Sequence, residues 1–149
     1  MIALACDHAA LDMKKEVAAL LDEMGLEYRD FGTYTKDSCD YPVFAARAAR
    51  AVASGECDRG ILICGTGIGI SIAANKIRGI RCALCSDPVS AQLTRLHNDA
   101  NMLAFGARIL GTELARGIVR AFLTTPFEGG RHQRRIDLIT RLENGEEIE

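Results

Sequence analysis

The residues of this sequence that could do chemistry gather at a few points. Cys64 directly precedes the turn Gly65, Thr66, Gly67, Ile68, Gly69; Asp7 and His8 follow the apolar run Ile2 to Cys6. His97 and Asn98 close an amphipathic stretch, and Arg131 and Arg135 come just after Glu128, Gly129 and Gly130. A glycine-rich turn between a strand and a helix can aim successive main-chain N–H groups at one anion, and glycine lets the backbone approach closely. It is not a common nucleotide loop, since no Gly-Lys-Ser/Thr follows and the G-x-G-x-x-G spacing is missing. A cysteine set against such amides is favoured as the thiolate, which can serve as base or nucleophile. Arg131 and Arg135 stand four apart, on one face of a helix, and two guanidinium forks at that spacing suit a phosphate. Each feature also has a plainer reading: a tight turn, a small buried thiol, a histidine compensating a helix dipole, a solvated basic face. Their coincidence in one chain points to a site for a small anion.

The elements that must position these residues follow from periodicity. Short apolar runs at Ile2 to Cys6, Glu27 to Phe31, Gly60 to Cys64, Ile80 to Cys85 and Met102 to Phe105 alternate with amphipathic stretches, the signature of βαβ units. Met13, Val17, Leu20, Leu21 and Met24 recur at helical steps and Gly25 ends that helix. Pro42 opens a second helix through Ala53, Asp87 caps a third reaching His97, and Leu110 to Phe122 mark a fourth stopped by Pro126. The expected fold is α/β: a three-layer, Rossmann-like, five-stranded parallel sheet of order 2-1-3-4-5, with an extra C-terminal helix. Ligands of such sheets bind beyond the carboxyl ends of the strands. Asp7, His8, the turn after Cys64, Ser86, Asp87 and the stretch Gly106 to Arg108 are therefore expected around one crevice, with His97 and Asn98 joining them.

Composition narrows the field. The 149 residues are expected to form one domain, and 48% hydrophobic content is enough to fill its core. A formal net charge of -2 gives no field to gather nucleic acid or an anionic membrane. No charged segment leads into a signal-like apolar run, so a cytoplasmic location with reduced thiols is expected for the six cysteines. Cys82 and Cys85 have the spacing of a zinc or redox pair, but alternation along a strand sends them to opposite faces, and no metal site is expected.

Four stretches, Cys6 to His8, GILICGTGIGIS from Gly60 to Ser71, His97 with Asn98, and EGGRHQRR from Glu128 to Arg135, occur in one order, and together they closely resemble the ribose-5-phosphate isomerases of type B, in the ribose/galactose isomerase family. The resemblance implies aldose–ketose isomerisation of ribose 5-phosphate and ribulose 5-phosphate without a cofactor, or of a six-carbon phosphate of allose or galactose. It implies Cys64 as the base at C2, His97 opening the sugar ring, and Thr66 and Asp7 assisting. Asp7, His8, the backbone from Gly65 to Gly69 (Gly65, Thr66, Gly67, Ile68, Gly69), Asn98 and Arg108 hold the substrate, and Arg131 and Arg135 clamp its phosphate. In some members a glutamate replaces the cysteine, at a position that looks like Asn75 or a neighbour here. The family also implies a homodimer with shared active sites, residues 129–149 packed on or exchanged with the partner, and a tetramer as a further option. A non-catalytic sugar-phosphate sensor and a thiol-dependent transferase are the readings outside this class.

Overall fold

A computed structural model describes residues 1–149. Strands β1 (Ile2–Cys6), β2 (Tyr28–Asp30), β3 (Arg59–Cys64), β4 (Cys82–Leu84) and β5 (Met102–Gly106) form one parallel sheet. They alternate with α1 (Leu11–Glu23), α2 (Tyr41–Ala53), α3 (Ile68–Ala74), α4 (Pro88–Asn98), α5 (Thr112–Thr124) and α6 (Arg131–Glu143). The start signals act as expected: Pro42 and Pro88 sit in the first turns of α2 and α4, and the Asp87 carboxylate accepts the Ser90 N–H to cap α4. None of these helices is long and apolar enough to cross a membrane.

The three layers follow from strand alternation. Ile2, Leu4 and Cys6 of β1, Ile61 and Ile63 of β3, and Leu103 and Phe105 of β5 face α1 and α5. Ala3 and Ala5, Leu62 and Cys64, and Met102 and Ala104 point the other way, under α2 and α3. The small residues Ala45, Ala48, Ala49 and Ala51 let α2 lie close to that second face. Cys85 joins the first cluster and Cys82 packs on the second, so the two thiols stand on opposite faces. Burial pushes their pKa values up to about 11 and about 12.

The class of sheet is the expected one, but its order is 2-1-3-5-4 rather than 2-1-3-4-5. The sequence Met-Leu-Ala-Phe-Gly of β5 is buried throughout and needs neighbours on both sides, whereas β4 has three residues and leaves Leu84 41% exposed. The long apolar strand takes the interior and the short one the edge. Asn75 finishes that edge, its amide accepting the Cys82 N–H and donating to the Cys82 carbonyl. The exchange matters for function because it sets the loop after β5 beside the loop after β3.

Candidate active site

At the carboxyl edge of the sheet, Cys64 ends β3 opposite Gly106 of β5. The chains then stay together: the Ala107 N–H donates to the Cys64 carbonyl and the Arg108 N–H to that of Gly65. The Arg108 side chain lies over Gly65, its Nη1 3.5 Å from where a Cβ would stand. Gly67 has φ +80°, and a Cβ there would fall 2.6 Å from the Phe105 carbonyl carbon. Only glycine fits on both counts. This tight course lets the Gly67 N–H donate to Cys64 Sγ at 3.0 Å. The thiol is 5% exposed, and its sulfur sits at the floor of the turn with a hydrogen-bond donor aimed at it. Thr66 Oγ1 accepts the Ile68 N–H at 3.2 Å. The N–H groups of Gly65, Thr66, Gly69 and Ile70 donate to nothing within the chain. They are available to an oxyanion.

Two neighbours complete this edge. Asp7 follows β1, is 8% exposed, and accepts the Ala9 N–H at 2.9 Å, which turns the chain so that His8 faces the loop after β2. There the Cys39 N–H donates to His8 Nδ1 at 3.2 Å, fixing the tautomer whose Nε2 carries the proton and can donate to a ligand. Lys14 holds the same loop from below through the Asp30 carboxylate and the Thr33 carbonyl. Tyr41 also stands at this edge. Its ring lies where a Gly69 side chain would be, the phenol oxygen 2.8 Å from that Cβ position, so the hydroxyl stands over the amide turn.

His97, Asn98, Arg131 and Arg135 are elsewhere, and the single crevice expected for all these residues is not formed within one chain. Helix α4 starts at the carboxyl edge and runs back against the strands, so His97 and Asn98 emerge at the amino edge. There the Arg81 guanidinium, just before β4, donates to the Asn98 and Asp99 carbonyls, and the Gly60 N–H donates to Asn101 at the start of β3. The two edges are separated by about 13 Å of strand, four residue steps at about 3.3 Å. Helix α6 lies at this amino edge too: the Glu128 N–H donates to the Leu96 carbonyl and Glu143 accepts the Gly79 N–H. The His97 and His132 rings stack at 4.4 Å. Arg131 and Arg135 are exposed and make no ion pair within the chain, nor does Arg108 at the other edge. The Asn75 amide is committed to the backbone of Cys82 in β4.

Residues 2–139 match the model of the family described as Ribose/Galactose Isomerase. The chain belongs to that family. It is similar to ribose-5-phosphate isomerase B of Escherichia coli, 56% identical over 142 residues that cover 95% of each protein. It is also similar to D-erythrulose-4-phosphate isomerase of Pectobacterium atrosepticum, 42% identical over 97% of this chain and 96% of that one. The solved ribose-5-phosphate isomerase B of Clostridium thermocellum superposes with a TM-score of 0.95 at 50% identity and 97% coverage of both chains. The chain is thus an isomerase.

Proposed function

We propose that the protein interconverts ribose 5-phosphate and ribulose 5-phosphate, with Cys64 as the base that takes the C2 proton. One observation carries this reading: Cys64 Sγ receives the Gly67 N–H inside a turn that leaves the four amides of Gly65, Thr66, Gly69 and Ile70 unpaired. A base at C2 needs an oxyanion acceptor beside it, because charge builds on the carbonyl oxygen as the proton leaves. The free amides supply that stabilisation. Asp7, His8 and Asn98 hold the sugar hydroxyls and the phosphate end, and Arg108, Arg131 and Arg135 neutralise the phosphate, so that binding far from the reacting carbons fixes them against the thiolate. His97 gives a proton to the ring oxygen while Asp7 or Thr66 accepts one from the anomeric hydroxyl. The open-chain aldehyde then passes through a cis-enediolate, and the proton returns at C1.

The separation of the half-sites supports a homodimer in which each site is shared. An isologous pair with antiparallel sheets sets the amino edge of one chain beside the carboxyl edge of its partner. The exposed Ile68 and Ile72 of α3, Leu84 of edge strand β4, and Val89 and Leu93 of α4 supply an apolar face for such a contact. In this arrangement His97, Asn98, Arg131 and Arg135 serve the partner's Cys64 turn. Because one relative is named for a four-carbon substrate, family membership alone leaves sugar length open, and ribose, allose and galactose phosphates are assayed in parallel.

The test is turnover of ribose 5-phosphate by the wild type and by Cys64→Ala, run in deuterium oxide. The expected result is a loss of about a hundred- to ten-thousand-fold in kcat with substrate affinity retained, and solvent deuterium in the wild-type product. Full activity in the variant rejects the base, and deuterium at C1 of the product is the signature expected of an enediolate whose base exchanges with solvent.

A further inference from the structure

Apart from the amide turn, one group of metal-ligating side chains is already gathered: His97, Glu128 and His132, whose ligand atoms all lie within 4.8 Å of one another. Glu128 Oε2 is 3.8 Å from His97 Nε2 and 3.6 Å from His132 Nε2. Two ligands held about 2.0–2.1 Å from a tetrahedral zinc ion stand about 3.3 Å apart, so each carboxylate–imidazole gap is within about half an ångström of closing. The backbone keeps the three together. The Glu128 N–H donates to the carbonyl of Leu96, the neighbour of His97, and the His132 N–H donates to that of Gly129. The stacked rings leave one adjustment, a turn of one imidazole so that both Nε2 atoms converge. His97, with its side chain 42% exposed against 9% for His132, has room to make it. Two imidazoles, one carboxylate and an open fourth position suit zinc and its borderline neighbours, not magnesium or calcium.

We propose that His97, Glu128 and His132 form a site for a zinc-like divalent transition-metal ion, and that its occupation inhibits the isomerase. The inhibition, though not the binding, rests on the ring-opening role proposed above for His97. A metal ion on Nε2 takes the lone pair that otherwise carries the proton to the ring oxygen, so the metal competes with the reaction and has no part in it.

Zinc titration of the full-length, chelator-treated protein by calorimetry tests the site. One ion per chain is expected, with affinity weakened tenfold or more by His132→Asn and by Glu128→Gln and retained in Cys64→Ser. Glu128 is exposed, so its variant keeps the test decisive even where the His132 change disturbs folding. Unchanged binding in both variants, or binding lost only with Cys64→Ser, overturns the site. In the isomerase assay, zinc is expected to inhibit the wild type reversibly on chelation, and Glu128→Gln to need at least tenfold more zinc for half-inhibition. Zinc bound at these residues with turnover untouched upholds the site and overturns both the inhibition and the role given to His97.

Discussion

At the scale of single residues the account turns on why a cysteine and glycines occur where they do. Cys6, Cys57, Cys82 and Cys85 are pushed up by burial, to about 12 for Cys6, and stay protonated at neutral pH. Cys64 differs from them in having an N–H donor at its sulfur. Brief alkylation at pH 7.5 followed by peptide mass mapping is therefore expected to label Cys64 ahead of Cys6 and Cys85; equal labelling of the three would remove the distinction. Gly67→Ala places a methyl 2.6 Å from the Phe105 backbone at φ +80°. We expect it to cost about 1–3 kcal/mol of stability and, by shifting the N–H away from Sγ, more than tenfold in kcat. Wild-type turnover in that variant would show that the turn geometry is not used. The turn itself was legible in the sequence, because a cysteine ending an apolar run and a glycine-rich stretch before a helix are local signals. The packing of Tyr41 on Gly69 was not, since an aromatic ring before Pro42 carries no periodic or spacing signal for a contact made across the chain fold.

Elements explain which residues meet. All five strands and the caps of α2 and α4 were readable, because alternation, Pro at the first turn and an Asp cap are local properties. The exchange of β4 and β5 was misread because periodicity identifies strands without identifying their neighbours. The hint lay in length: a three-residue strand belongs at an edge and a continuously apolar one inside. Asn75 substitutes for a missing neighbour at that edge, so Asn75→Ala is expected to cost about 1–2 kcal/mol by leaving the Cys82 N–H and carbonyl unpaired. Urea denaturation checks this as a lower midpoint at unchanged slope; an unchanged midpoint would mean that water replaces the amide without loss. The buried thiols give the sheet a pH limit. Burial raises their folded pKa values above that of a free thiol, so their stabilising contribution is complete below about pH 9 and is lost as pH rises toward 11 to 12. Thermal melts are expected to fall across that window, and Cys6→Ala to blunt the fall; an identical slope in the variant would assign it to other groups.

For the whole molecule, the direction of α4 decides the architecture of the site. A crossover helix runs against its strands, so a helix capped by Asp87 at the carboxyl edge must deliver His97 to the amino edge. The cap at Asp87 and the length of α4 already imply this in the sequence, whereas the side-chain chemistry of His97 and Asn98 says nothing about which edge they occupy. One chain consequently carries a thiol with free amides at one end and histidines with arginines at the other. The proposed dimer joins them. It is tested by mixing Cys64→Ala with His97→Ala, each inactive or nearly so, after unfolding and refolding them together. Random pairing makes half of the dimers mixed, and each mixed dimer carries one site with both groups intact, so activity is expected to return to about a quarter of the wild-type value. Activity that stays at the sum of the two separate variants would place Cys64 and His97 in the same chain's site and contradict the shared architecture.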